Sequence, residues 1–115
     1  MKTARVPIRV VFYKEAPYWI AHCLEFDLLG SGETKRDALA MLAESIEIQV
    51  RATIESGNIE NLIRPADAKY FLMYAQGADV ADGRLERAIQ KIDPFEIEPN
   101  PYREFTGSQS ELALA

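Results

Sequence analysis

An α+β fold is what this chain predicts: a small antiparallel sheet, in the order strand, strand, strand, helix, strand, packed on one long helix, with a short helical extension after it. Three features predict it. Apolar residues alternate in two successive stretches, 5–13 and 18–26, as half-buried strands require. A Gly-x-Gly step at Gly30 and Gly32 breaks a third, shorter run. From Lys35 the apolar period switches to that of a helix and holds for about twenty residues, or ~30 Å.

In the first strand Val6, Ile8, Val10 and Phe12 share one face, and Pro7, Arg9 and Val11 the other. Pro7 has no N–H to give a ladder, so the strand lies at an edge or starts beyond it. Residues 14–17 supply a hairpin connection. The second strand places Tyr18, Ile20, His22 and Leu24 on one face and Trp19, Ala21, Cys23 and Glu25 on the other. Each face mixes apolar and polar residues, which predicts partial cover on both sides. Residues 28–33 form the short third strand, whose glycines allow positive φ or the close approach of another backbone.

Thr34 is placed to cap the helix, and Asp37 follows in a variant of the capping box. Ala38, Leu39, Leu42, Ala43, Ile46, Val50 and Ile54 make the buried stripe, while Glu44, Glu47, Arg51 and Glu55 face away. Gly57 and Asn58 stop the helix. Residues 59–63 read as a short strand or a turn ahead of Arg64 and Pro65. Residues 66–76 read as a helix that Pro65 opens and Gly77 ends. Residues 82–92 read as a second short helix, with Leu85, Ala88, Ile89 and Ile92 on one side. From 93 onward three prolines and no sustained period predict an extended, partly disordered tail, with Phe95, Ile97, Tyr102 or Phe105 available to pack. The chain thus divides into an α+β domain over 1–65, a helical extension over 66–92 and an acidic tail over 93–115.

At 115 residues, with 48% hydrophobic and 27% charged, the chain has the composition of a soluble globular domain that needs no disulfide or metal for its core. Its apolar stretches fall far short of the ~20 residues of a membrane span. Arg5, Arg9 and Lys14 interrupt the apolar residues near the N-terminus, so no signal-peptide core forms there. Cys23 is the one cysteine, which excludes an internal disulfide and makes the cytoplasm the expected compartment. Residues 1–92 carry 12 Lys/Arg against 13 Asp/Glu, whereas 93–115 carry Arg103 alone against five acids. The acidity therefore belongs to the tail. It disfavours non-specific nucleic-acid binding, which runs on neutralising phosphate, and suits a basic protein partner.

His22 and Cys23 are neighbours on a strand and point to opposite faces, so they cannot serve one surface as base and nucleophile. The chain has no other His or Cys, so neither a Cys-His site nor a His-rich metal site can be built within one copy. His22 reads as structural and Cys23 as a small buried hydrophobe. No cofactor is expected. Gly30-x-Gly32 lacks the third glycine of a dinucleotide fingerprint, and residues 79–83 lack the closing glutamate of a calcium loop. Glu25, Asp27, Glu33 and Asp37 crowd the bend and the helix start, which raises a metal-dependent nuclease reading. Capping and the helix dipole already account for Glu33 and Asp37. The helical segments around Gly77 raise a DNA-binding reading as a dimer, in which Arg84, Arg87 and Lys91 meet phosphate. The connection AQGADVAD is long and acidic for a helix-turn-helix.

One stretch resembles a known family. Tyr18 and Ala21, Cys23-Leu24-Glu25, Gly30-x-Gly32-Glu33-Thr34 and Asp37-Ala38-Leu39-x-x-Leu42 together resemble the HicB-like antitoxins over residues 6–65. Glu33 stands where that family more often has Asp, Asp37 where it more often has Glu, and residues 24–28 replace its frequent Pro-Asp-Leu-Pro-Gly turn. The resemblance implies a truncated RNase H-like fold, with three antiparallel strands, a long backing helix and a fourth strand after it. It also implies a role in binding rather than catalysis. Antitoxins of this family typically pair with HicA, a small basic RNA-cleaving toxin, and often add a DNA-binding module, while many relatives are orphans without a toxin. On that reading the partner here is a small basic HicA-like protein, met by Glu25, Asp27, Glu96 and Glu98, with the tail wrapping it. The exposed edges of a small sheet further predict a homo-oligomer.

Overall fold

The computed structural model describes residues 5–80, 89, 92, 96–98 and 100–107. Strands β1 (Arg5–Pro7), β2 (Val10–Glu15), β3 (Tyr18–Cys23) and β4 (Leu28–Gly32) precede helix α1 (Lys35–Ser56). A 3-10 turn (Ile59–Leu62) leads into helix α2 (Ala68–Gln76). Three short strands follow: β5 (Ala78–Asp79), β6 (Glu96–Glu98) and β7 (Arg103–Glu104).

The main sheet has the order β4-β3-β2-β7-β5, and β1 pairs with β6 in a separate parallel ribbon. β2, β3 and β4 form an antiparallel meander, turning first at Ala16–Pro17, with Tyr13 opposite Ile20 and Ala21 opposite Gly30. The expectation of a wholly antiparallel sheet is corrected: the sheet is mixed, because β7 lies parallel to β2. The strand expected directly after α1 is corrected too, since Ile59–Leu62 form a 3-10 turn. The backbone groups on the free side of β2 still need partners, and the tail provides them. Phe105 N–H donates to Phe12 C=O at 2.8 Å.

Alternation in the strands produces two cores. Val10, Phe12, Ala21 and Cys23 meet Ala38, Leu39, Leu42 and Ile46 of α1 on one face. On the other, Val11, Tyr13 and Ile20 meet Met73 of α2 and Phe105, with Tyr70 against them. The sheet is thus covered on both sides, α1 below and α2 above, which is the partial double cover that the mixed faces of β3 predict. Each large apolar side chain buried in these layers contributes about 1.5–3 kcal/mol.

α1 starts where Thr34 Oγ1 accepts from Asp37 N–H at 3.1 Å. It ends at Gly57, whose φ of 74° lets Gly57 and Asn58 N–H reach the carbonyls of Ile54 and Thr53. The buried stripe runs Ala38, Leu42, Ile46, Val50, Thr53, so Ile54 is exposed rather than buried. Gly30 and Gly32 serve close packing rather than positive φ. A Cβ on Gly32 would stand 2.7 Å from Ala38 N, and one on Gly30 2.9 Å from Leu42 Cα.

α2 begins at Ala68, two residues later than the sequence suggests, and Ala66 N–H donates to Leu24 C=O at 2.8 Å. The helix expected over 82–92, with Arg84, Arg87 and Lys91, lies outside the described residues. Ile89 and Ile92, which are described, are buried in the α1-side core. Of the tail read from 93 onward as extended and partly disordered, 96–98 and 103–104 are strands, and 93–95, 99 and 108–115 lie outside the described residues. β7 is held by an ion pair between Lys35 and Glu104 and by Arg103, which reaches Asp79 at 2.8 Å. Among the described residues no helix is long and apolar enough to cross a membrane.

Candidate functional site

The turn of residues 24–27, between β3 and β4, carries Glu25 and Asp27. Glu25 lies under it, 9% exposed, and accepts the Arg9 N–H at 2.7 Å. Its second oxygen stands 3.6 Å from the Arg9 guanidinium. β1 and β2 are interrupted at Arg9, so this N–H has no strand partner and the carboxylate takes that place. Burial raises the Glu25 pKa, and the Arg9 N–H and guanidinium pull it partly back. Glu25 is therefore a structural acid, and little of it reaches a partner.

Asp27 occupies the left-handed region, φ 51°, which Asp tolerates better than most residues. Its carboxylate is half exposed and stands 2.7 Å from His22 Nε2. On the other side of the ring, Tyr13 Oη lies 3.0 Å from His22 Nδ1. A carboxylate only accepts, so Nε2 carries the proton and Nδ1 accepts from the Tyr13 hydroxyl. Tyr70 of α2 closes the cluster, its ring 4.3 Å from His22 and stacked on Tyr13 at 5.8 Å.

The order Asp27–His22–Tyr13 uses the residue types of a proton relay, yet the environment works against reactivity. Burial lowers the His22 pKa, with Asp27 opposing, so the imidazole is neutral near pH 7. Burial and the neighbouring Tyr70 push the Tyr13 hydroxyl far up, and the group is 3% exposed. What the cluster does is fasten three parts of the fold: the turn through Asp27, β2 through Tyr13, and α2 through Tyr70. Cys23 points to the opposite face, fully buried, its thiol pushed up to about 12 by burial. It packs as a small hydrophobe.

The four carboxylates that the sequence crowds together are divided by the fold. Glu33 and Asp37 lie beyond Gly32, at the far end of β4, about 16 Å along the strand from Asp27. Among the described residues no group of three His, Cys, Asp or Glu side chains is placed to hold a metal ion. Asp79 is bound to Arg103 at 2.8 Å, and the rest of the 79–83 stretch from residue 81 lies outside the described residues.

Glu96 and Glu98 are exposed on one face of β6, with Ile97 turned toward the core between them. They stand opposite Arg5 and Pro7 of β1. Pro7 is two residues from Arg9, which holds Glu25, so the ribbon ends beside the turn. Asp27 on the turn and Glu96 and Glu98 on the ribbon are open to solvent, while Glu25 lies beneath the turn. The partners of His22 are what sequence reasoning missed. The signal was present, since a two-residue turn at 16–17 puts Tyr13 and His22 on one face, diagonal across the hairpin.

Compared with models of protein families, with curated proteins and with solved structures, the chain finds no match.

Proposed function

We propose that this chain is a non-catalytic binding protein, antitoxin-like in role, whose partner is a small basic protein met by Asp27, Glu96 and Glu98. One observation carries the reading. Among the described residues, Glu25, His22 and Tyr13 are bound inside the fold, while acids held on a turn and a strand ribbon remain at the surface. The net charge of −5 adds a field that attracts a cationic partner. Each exposed ion pair is worth only about 0–1 kcal/mol, so these acids steer and select. Affinity has to come from apolar contact around them.

The resemblance to HicB-like antitoxins points to the same class of partner. Two observations weigh against the nuclease reading: Glu25 is bound to Arg9, and Asp27 stands a strand length from Glu33 and Asp37. Charge reversal tests the proposal. The double variant Glu96→Lys/Glu98→Lys should weaken capture of a small basic protein at least about tenfold, and added salt should do the same to the wild type. Capture that ignores both would refute the assignment.

A further inference from the structure

β4 ends the main sheet, and among the described residues its outer side meets no other strand. The pairing fixes which of its backbone groups stay open. Leu24 N–H donates to Arg9 C=O at 2.9 Å, so in the β2–β3 register His22 and Ile20 also turn their backbone groups to β2. Cys23, Ala21 and Trp19 then turn theirs to β4, where they meet Leu28, Gly30 and Gly32. Leu29 and Ser31 are left with N–H and C=O pointing outward. β5, at the opposite end of the sheet, has two residues and is too short to template another strand.

The charge around this open row has one sign. Residues 15–34 hold no Lys or Arg, and their acids are Glu15, Glu25, Asp27 and Glu33. Asp27 and Glu33 are exposed at the two ends of β4, about 16 Å apart along the strand. Asp37 is exposed over Gly32, where an added Cβ would stand 2.6 Å from its own. The neighbouring cations are turned elsewhere. Lys14 and Lys35 lie over the Trp19 ring, and Lys35 is paired with Glu104 of β7. Arg36 lies about 200° round α1 from Ala38, the residue that packs on Gly30. Lys69 lies over the ring of Tyr70, which packs on Tyr13 and His22. Between the acids the surface is apolar and about half open, with Leu29 on the α2 side and Met41, three residues beyond Ala38, on the α1 side.

We propose that the β4 edge takes an extended basic segment of the partner, added to the sheet as a further strand. The inference rests on the basic-partner reading and adds where and in what form that partner docks. Main-chain bonds to Leu29 and Ser31 hold the segment, and its apolar side chains lie against Leu29 and Met41. Lys or Arg at its two ends meets Asp27 and Glu33, which selects a cationic occupant. A second copy of this chain would set the same acids against each other.

The probe is the capped peptide Lys-Val-Lys-Val-Lys-Val-Lys, titrated into the isotope-labelled full chain and followed by amide NMR. The Leu29 and Ser31 amide signals should shift and their hydrogen exchange should slow. Ser31→Pro removes an outward N–H and leaves the β3 ladder whole, as a proline on an edge strand can. It should weaken the peptide at least about tenfold with far-UV ellipticity unchanged, as should Glu33→Lys/Asp37→Lys, and the peptide with Glu for Lys should not bind. No shift at Leu29 and Ser31 by about 1 mM peptide overturns the proposal, and so does binding that survives both variants. Protection of these amides that grows with chain concentration alone assigns the edge to a second copy and also overturns it. Capture of a small basic protein that is weakened by Glu96→Lys/Glu98→Lys but not by Ser31→Pro keeps the basic-partner reading and removes this edge from it.

Discussion

Replacing Gly30 with alanine pushes a methyl group into the backbone of α1. The added Cβ would stand 2.9 Å from Leu42 Cα and overlap the Ala38 carbonyl and the Leu42 N–H, all helix backbone that cannot swing aside. Carbon–carbon contacts settle at about 3.5–4.0 Å, so the helix has to lift off β4 by about 0.6–1 Å. A gap of that size forfeits about a quarter to a half of the dispersion well for each atom pair along the contact. The loss falls on Ala38, Leu39 and Leu42, which are fully buried. Overpacking of this kind costs about 1–3 kcal/mol, against a total stability of about 5–15 kcal/mol for a domain. Urea unfolding followed by ellipticity and by the fluorescence of Trp19, which packs on the α1 side, reads the change. The midpoint should fall while the slope stays constant. Gly57→Ala is the comparison: a Cβ there meets nothing, but φ is 74°, so the cost is strain alone, about 1 kcal/mol. A Gly30→Ala protein within about 0.5 kcal/mol of wild type would refute the close-approach reading.

Three further substitutions probe the same structure. Thr34→Ala removes the cap of α1 and should cost about 1 kcal/mol in urea unfolding, with Thr34→Ser close to wild type. Glu25→Ala leaves the Arg9 N–H without its acceptor and should cost about 1–3 kcal/mol, whereas Glu25→Gln, which keeps an acceptor, should lose markedly less. His22 has a folded pKa below its ordinary 6.5, so the unfolded chain binds the proton more readily. Its contribution is full above 6.5 and is lost as pH falls from there toward the folded value. Stability measured from about pH 7.5 down to 5 should therefore fall more steeply for wild type than for His22→Gln, and parallel curves would contradict the burial argument.

What could be read from residues alone follows from physical range. The period-two faces of β2 and β3, the Thr34 cap and the Gly57 stop are set by neighbours a few residues apart, and they stand in the structure as the sequence suggests. The glycines of β4 were legible as special, but only the packed helix shows that close approach is the reason. β6 and β7 were not legible as strands, because elements of three and two residues have no period to detect. Their pairing depends on partners about ninety residues away, Arg5 to Pro7 and Val11 to Phe12. For the same reason Glu25 read as a surface acid, although its local sequence gives no hint of the orphan N–H at Arg9 that buries it.

The central claim, a binding protein for a small basic partner, is tested most directly by capture of the tagged full chain from its native cells, with and without nuclease, and mass spectrometry of what is retained. The account predicts a small basic protein in near-stoichiometric amount, retained after nuclease and lost with Glu96→Lys/Glu98→Lys. Retention of the chain with itself alone would contradict it.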